Sequence, residues 1–217
     1  MSESEPPRLY KKYYIDKGDE RRELFKALTA QFEIRRAVYP GSFVHITPSF
    51  SIREMMYIDS DKRVHQFFHS KSAKEYVEEN KEYGGPARFT GLQADFTGDI
   101  DVPTGYYDAL FSFYSGFVSR ACKKYLKSGG ILIANNSHGD ASIAFTDPDY
   151  ELIGAIQRRG VRFSITDKNR DQYFKKRDGS PIDVEKILNT MTGEKFTKTA
   201  YAYIFRKQVS ARDTGRG

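Results

Sequence analysis

The alternation of short apolar stretches with helical segments is the feature that most restricts the fold of this chain. Five stretches end near a glycine, a proline or an acid: "RRAVY", "EMMYID", "RFTGLQADF", "YDALFSFY" and "ILIANNS". Segments with helical spacing lie between them, and one of these, "GFVSRACKKYL", is predicted to end at Gly129-Gly130. Strands joined by helices favour a parallel sheet covered on both faces, so the sequence predicts an α/β fold.

The pattern changes after Asp149. "YELIGAI" and "VRFSITD" are separated by residues 157–160, which indicates a strand, a tight turn and a second strand. "SPIDVEKILNTMTG" predicts a helix, with Ser180 as its cap, Pro181 in its first turn and Gly193 after its end. "TAYAYIFR" is the closing strand. The elements together predict about seven strands, mostly parallel, with an antiparallel late strand.

Composition supports a folded chain of modest size. Of its 217 residues 39% are apolar and 14% aromatic, which is enough for a buried core. Cys122 is the single cysteine, so neither an internal disulfide nor a cysteine metal motif is expected. The first residues, "MSESEPPRLYKK", lack an apolar stretch of signal-peptide type, and no apolar run approaches the roughly 20 residues of a membrane span. We therefore expect a cytoplasmic protein without a membrane partner.

Charge and sequence pattern divide the chain into three parts. Residues 1–18 are a predicted N-terminal extension, partly disordered, residues 19–207 form the domain, and residues 208–217 form a basic flexible tail. The net charge is +6, and half of it lies in "RKQVSARDTGRG", where four cations face the single acid Asp213. A mildly basic domain with a basic tail explains this balance. The tail is also a candidate contact for nucleic acid.

Three successive strand ends carry residues that suit ligand binding. Pro40-Gly41 follows the first strand, and a glycine there lets the backbone turn tightly. Asp59 lies 18 residues after Gly41, near the offset of about 20 that is typical of an acid binding ribose hydroxyls. Asp95 follows the third strand. Two alternatives stay open: Asp59 as the N-cap of a helix starting at Ser60, and Asp95 as a solvated turn residue.

The order of these elements resembles that of class I S-adenosylmethionine-dependent methyltransferases. The resemblance covers roughly residues 25–205 and rests on "AVYPGS", "YIDSD", "GLQADF", "YDALFSFYSGF" and "LKSGGILIANNS". It implies a three-layer Rossmann-like methyltransferase fold, S-adenosylmethionine as the cofactor and methyl transfer as the reaction. The methyl acceptor, a small molecule or a macromolecule, is left open.

The same resemblance implies a set of cofactor-binding residues. Asp59 would bind the ribose, Asp95 and Phe96 would face the adenine, and residues 113–115 would lie beside the methionine part. The full set is Tyr39, Pro40, Gly41, Ser42, Asp59, Ser60, Asp95, Phe96, Phe113, Tyr114 and Ser115.

The first loop departs from the pattern of that family. Of the usual glycine-rich loop only Gly41 remains, and Phe43 and His45 stand where small residues normally admit the cofactor. This departure favours an alternative function, that of a non-catalytic methyltransferase-fold protein that binds a nucleotide, nucleic acid or protein partner.

Catalytic candidates follow the fifth strand in "NNSHGD". His138 is a candidate base, with Asp140 to orient it; the alternative is a polar loop that caps the next segment. No Asn/Asp-Pro-Pro-aromatic phrase follows the fourth strand, which disfavours an amino-methylating DNA enzyme. His65 and His69 share a helix face, but no third ligand is evident, so we predict a solvated surface and no metal site.

Overall fold

The structure, a computed structural model, describes residues 4–209. Within that range the chain forms two compact units. The first contains residues 4–100 and 159–163, and the second contains residues 101–158 and 164–209.

The first unit combines three parallel strands with helices. Its strands are β1 (Arg36–Pro40), β2 (Glu54–Asp59) and β3 (Arg88–Gln93), and β2 pairs with both of the others. Its helices are α1 (Arg8–Tyr10), a π-helix (Lys11–Ile15), α2 (Arg22–Gln31), a 3-10 helix (Thr47–Phe50), α3 (Arg63–His69) and α4 (Lys71–Asn80). Because the strands are parallel, their carboxyl ends lie at one edge, with Pro40 opposite Ile58 and Asp59 opposite Gln93.

Apolar side chains at helical spacing fix these helices against the strands. α2 buries Leu24, Phe25 and Leu28, as its sequence spacing predicts. From α3, Phe68 stacks on Tyr57 of β2 with 4.2 Å between the ring centroids. Buried aromatic pairs of this kind contribute about 0.5–1.5 kcal/mol beyond the area that they bury. This packing holds the end of β2, and with it Asp59, in a fixed position.

The second unit contains the late, antiparallel part of the chain. Its strands are β4 (Tyr107–Ser112), β5 (Leu126–Ala134), β6 (Tyr150–Arg159) and β8 (Ala202–Lys207). The last residue of β6 and the first two of β7 (Arg162–Thr166) belong to the first unit. β4 and β5 are parallel, and β8 pairs antiparallel with both β5 and β6. The helices are α5 (Val118–Ala121), α6 (Asp140–Thr146), α7 (Val184–Thr190) and 3-10 turns at Lys123–Tyr125 and Arg170–Gln172.

The predicted fold class is confirmed. Residues 4–209 form an α/β fold with eight strands, most of them in parallel pairings, and the late strand β8 is antiparallel. The count of about seven strands falls one short of the observed number. The predicted strand, turn and strand after Asp149 are present as β6 and β7.

Two local predictions are wrong. Gly129-Gly130 does not end a helix, because β5 already begins at Leu126, where it pairs with Tyr107, and a register shift in this pairing lets the strand continue through both glycines. The other concerns α7, which begins at Val184 rather than after Ser180. Asp183 accepts a hydrogen bond from the Lys186 N–H at 2.9 Å, and this later acid caps the helix in place of the serine.

The two ends of the chain bear on the predicted domain boundaries. In the extension predicted at residues 1–18, α1 and the π-helix are formed and Tyr10 is fully buried. Of the predicted tail, residues 210–217 lie outside the described residues, as do Arg212 and Arg216. The boundaries at residues 18 and 207 stay predictions. In the described range, no helix combines the length and apolar character needed to cross a membrane.

Candidate functional site

The loop after β1 folds back onto the end of β2 in the first unit. Gly41 adopts a left-handed conformation, with φ of 66°. Its N–H donates a hydrogen bond to the Ile58 carbonyl at 2.7 Å, and the Ser42 N–H donates a longer one of 3.4 Å to the same oxygen. A residue with a Cβ is strained at this φ, which explains why the loop keeps a glycine here.

Asp59 joins this loop to the segment after β2. Its Oδ2 accepts a hydrogen bond from the Phe43 N–H at 2.8 Å, and its Oδ1 accepts one from the Asp61 N–H at 2.9 Å. The carboxylate is only half-buried. Each carboxylate oxygen has room for a second donor, so Asp59 retains acceptor capacity for hydroxyl groups. It is not the N-cap of α3, which follows Lys62.

Phe43 turns its ring toward two neighbours of the same unit. The ring meets Tyr13 edge to face, with centroids 5.0 Å apart, and the Arg63 guanidinium lies 4.7 Å from its centroid. Two side-chain hydrogen bonds, of 2.8 and 2.7 Å, and one of 2.9 Å from the Arg63 N–H join Arg63 to Asp61. They hold the pKa of Asp61 at about 2. The Phe43 side chain thus packs against Tyr13 and Arg63, while the Phe43 N–H stays hydrogen-bonded to Asp59.

Other residues of the first loop belong to the core. Tyr39 is 2% exposed, and its hydroxyl lies 3.4 Å from Nδ1 of His45. His45 stacks on Tyr14 at 4.4 Å, and complete burial lowers its pKa well below the usual value. The Tyr14 hydroxyl donates a hydrogen bond to the Ser42 carbonyl at 3.2 Å. Two of the residues implied as cofactor contacts, Tyr39 and Ser42, therefore have buried side chains.

The residues after β3 are more exposed. Asp95 lies two positions beyond the strand, and its Oδ1 accepts hydrogen bonds from the Thr97 N–H at 2.9 Å and hydroxyl at 2.7 Å. These bonds lower the pKa of Asp95. They also form a solvated turn, which is the alternative role that the sequence left open for Asp95. Phe96 is half-buried and Ser60 is exposed. Hydrogen bonds thus link the Gly41 loop to Asp59, whereas Asp95 bonds within its own turn.

Asp140 occupies a closed polar cluster in the second unit. It is 2% exposed and begins α6. It accepts hydrogen bonds from the Ser112 hydroxyl at 2.5 Å, the Ser119 hydroxyl at 2.5 Å and the Ser119 N–H at 3.1 Å. Burial raises the pKa of Asp140 to about 6, although the serine hydrogen bonds act in the opposite direction. This carboxylate joins β4, α5 and α6.

His138 has a different partner from Asp140. Its Nδ1 lies 3.2 Å from the Met191 carbonyl, an acceptor that fixes the proton on Nδ1 and leaves Nε2 as the basic nitrogen. The side chain is half-buried. The structure therefore places the two predicted catalytic residues two positions apart in sequence but in separate hydrogen-bond groups.

Residues 113–115 and Asn135 form a further polar group in the second unit. Tyr114 has φ of 61° and is 54% exposed, Phe113 is buried, and the Ser115 hydroxyl donates to the Phe113 carbonyl at 2.9 Å. The Asn135 Oδ1 accepts from the Ser137 hydroxyl at 3.1 Å and the Tyr114 N–H at 3.4 Å. The Asn135 Nδ2 is buried without a hydrogen-bond partner.

Sequence reasoning missed several of these residues. Ser112 and Ser119 hold Asp140, and Tyr13 and Arg63 enclose Phe43. A serine inside the largely apolar "ALFSFY" was the available signal for Ser112. No local pattern pointed to Tyr13, because it reaches Phe43 from a segment 30 positions earlier.

The histidine pair on α3 belongs to the surface. The rings of His65 and His69 are 4.2 Å apart, and Nδ1 of His69 lies 2.7 Å from the His65 carbonyl, which occupies that nitrogen. Among residues 4–209, no group of three or more histidine, cysteine or acidic side chains is arranged to hold a metal ion.

Comparisons with known proteins give distant structural likenesses. No protein-family model and no curated protein sequence matches the chain. A putative S-adenosylmethionine-dependent methyltransferase from Methanococcus maripaludis is similar at a TM-score of 0.47 with 14% identity, covering 97% of this chain and 98% of that one. A tRNA methyltransferase from Aquifex aeolicus has a TM-score of 0.47 and 14% identity, with coverages of 88% and 69%. An O-methyltransferase from Streptomyces achromogenes, solved with S-adenosylmethionine, has a TM-score of 0.46 and 14% identity, with coverages of 66% and 76%.

Proposed function

We propose that this chain is an S-adenosylmethionine-dependent methyltransferase, and that its first unit binds the adenosyl part of the cofactor. The observation that carries the proposal is the position of Asp59. It lies at the carboxyl end of a parallel strand, where ligands of open α/β sheets bind, and it anchors the loop after the neighbouring strand through the Phe43 N–H. Its remaining lone pairs suit two ribose hydroxyls.

The residues of the first loop fit this role. Asp59 is half-buried, so a ligand has access to it, and it keeps acceptor capacity beyond its two backbone hydrogen bonds. Gly41 supplies a turn without a side chain. When bound, the cofactor would supply an electrophilic methyl group. The contribution of Asp59 is to bind and orient the ribose.

Within the second unit, we propose His138 as a proton acceptor. With Nδ1 directed at the Met191 carbonyl, His138 has Nε2 available to take a proton. Asp140 takes a structural role in this proposal, because its oxygens already accept from three donors of Ser112 and Ser119, and the Ser119 N–H reaches both oxygens. Contact of Phe113, Tyr114 and Ser115 with the methionine part stays a prediction from the resemblance.

A non-catalytic function is the second candidate, and one observation favours it. The N–H groups of Gly41, Ser42 and Phe43 all donate within the unit, to Ile58 or Asp59, so the loop is satisfied without a ligand. A loop that bound a cofactor through these N–H groups would need to exchange those bonds. The choice between the two functions therefore depends on whether the unused lone pairs of Asp59 are sufficient to bind the cofactor.

Titration calorimetry of the full chain with S-adenosylmethionine and S-adenosylhomocysteine tests the proposal. Asp59→Ala should weaken binding by about 1.5–3 kcal/mol, the scale for losing hydrogen bonds to a charged acceptor. Asp178→Ala is the matched control, since Asp178 is an exposed acid that likewise accepts from a residue two positions on, Ser180. Absence of heat and of any melting shift at millimolar cofactor for the unaltered protein would favour the non-catalytic function.

A further inference from the structure

Three cations surround one aromatic ring on the first unit. The ammonium nitrogens of Lys12 and Lys17 each lie 5.4 Å from the centroid of the Tyr13 ring, and the guanidinium carbon of Arg63 lies 6.0 Å from it. Arg63 also lies over Phe43. We call these five residues the Tyr13 patch. Like charges gathered at one ring repel each other, and an anion placed there would relieve that repulsion.

The charges of the patch are only partly compensated. Arg63 is bound by both oxygens of Asp61. Lys12 and Lys17 are exposed, and within residues 4–209 neither has an ion-pair partner. The neighbouring Lys11 differs, since it pairs with Asp16 at 2.9 Å. Two ammonium groups therefore remain available beside the ring.

Hydrogen bonds to Asp59 and Asp61 hold the aromatic part of the patch in place. Tyr13 and Phe43 are both half-buried and meet edge to face. The Phe43 N–H is bound to Asp59, and Arg63 is held by Asp61, so the two rings and the guanidinium form a fixed surface. Lys12 and Lys17 extend over this surface on flexible stems. Fixed aromatic surfaces beside mobile cations are the chemistry that binds single-stranded nucleic acid, through base stacking and phosphate contacts.

We propose that the Tyr13 patch binds single-stranded nucleic acid. Lys12 and Lys17 contact two phosphates, and the exposed part of the Tyr13 ring stacks on a base. Arg63, with its charge engaged by Asp61, contributes a planar surface and not a phosphate fork. The proposal goes beyond methyl transfer and does not depend on it, because phosphate and base contacts at the patch require no cofactor. It also assigns nucleic-acid contact to a described surface in addition to the predicted basic tail.

Salt-dependent binding tests the phosphate contacts. The probe is a fluorescein-labelled oligouridylate of about 12 nucleotides, followed by fluorescence anisotropy without cofactor. Lys12→Gln with Lys17→Gln should weaken binding about tenfold or more at about 50 mM KCl and reduce the slope of log K against log salt by about 1.4. Lys71→Gln with Lys74→Gln removes the same charge from exposed positions of α4 and should leave both values nearly unchanged.

A second pair of variants separates stacking from charge and the patch from the tail. Tyr13→Leu should weaken binding about fivefold or more with an unchanged salt slope, since a stacking surface carries no charge. Arg212→Gln with Arg216→Gln tests the tail in the full chain. All variants should melt within a few degrees of the unaltered protein.

Three results would overturn the proposal. The first is no binding of the oligouridylate at low salt. The second is equal weakening by the Lys12/Lys17 and Lys71/Lys74 pairs, which would show a general charge effect. The third is loss of binding in the Arg212/Arg216 variant while the Lys12/Lys17 variant binds normally.

Discussion

Asp59 in the first unit and Asp140 in the second are acids near strand ends with opposite surroundings. Asp59 is half-buried and accepts hydrogen bonds from two backbone N–H groups. Asp140 is buried, and two serine hydroxyls and one N–H satisfy it. The first keeps acceptor capacity toward solvent, whereas the second has its capacity used inside the unit.

The difference shows how one residue type serves two purposes in this chain. A carboxylate that solvent reaches exchanges water for ligand hydroxyls at little cost. A sealed carboxyl group joins the elements that donate to it, while its burial disfavours the ionised form and so raises its pKa. Asp59 therefore suits ligand binding, and Asp140 suits the joining of β4, α5 and α6.

Removing each acid should separate these roles most clearly. Asp140→Ala leaves the Ser112 and Ser119 donors buried without an acceptor, and we expect it to lower the free energy of unfolding by about 3 kcal/mol or more. Asp59→Ala exposes its donors to water and should cost about 1 kcal/mol. Urea unfolding of both variants gives the values. Equal losses would break the distinction.

The pH dependence of stability should sharpen the distinction between Asp59 and Asp140. Burial raises the pKa of Asp140 from 3.8 to about 6, so its folded state binds a proton more tightly than its unfolded state. Its contribution is therefore fully present below pH 4 and is lost as pH rises through 6, a change of about 3 kcal/mol. The difference in unfolding free energy between unaltered protein and Asp140→Asn, measured from pH 4 to 7, should show this trend. A flat difference would contradict it.

The loop beside Asp59 should be sensitive to its glycine. Gly41→Val places a branched side chain at φ of 66°, which should cost about 1–2 kcal/mol of stability. We expect cofactor binding to be lost as well, because the loop and Asp59 move together through Phe43. Calorimetry and thermal melting check both effects, and normal cofactor binding by the Gly41→Val variant would exclude Gly41 from the site.

The smallest expected effects come from two strained aromatic residues. Tyr114 has φ of 61° and is exposed, so Tyr114→Gly should stabilise the protein by up to about 1 kcal/mol. Phe43 has φ of 43°, but its ring contacts Tyr13 and Arg63, so Phe43→Gly should destabilise. Melting temperatures that shift in the same direction would show that the ring contacts of Phe43 contribute little.

The sequence predicted what depends on periodicity and spacing. β1, β2, β4 and β8 lie where apolar stretches predicted strands, and Asp59 ends its strand as expected. The prediction that Gly129-Gly130 ends a helix was wrong, because the pairing between β4 and β5 decides where β5 begins, and this pairing joins residues distant in sequence.

The partners of the site residues depend on such distant contacts as well. The serines around Asp140 come from positions 28 and 21 residues earlier. No local pattern encodes these distances. The sequence therefore predicted where the acids lie, but it did not show which carboxylate is buried and enclosed by hydrogen-bond donors.

Backbone amide NMR during a titration with S-adenosylhomocysteine tests the role of Asp59 most directly. The N–H groups of Phe43 and Asp61 donate to Asp59, and that of Ser119 donates to Asp140, so each reports on one acid. We predict that the Phe43 and Asp61 signals shift with saturation while the Ser119 signal stays in place. Unchanged Phe43 and Asp61 signals at millimolar ligand would contradict cofactor binding at Asp59.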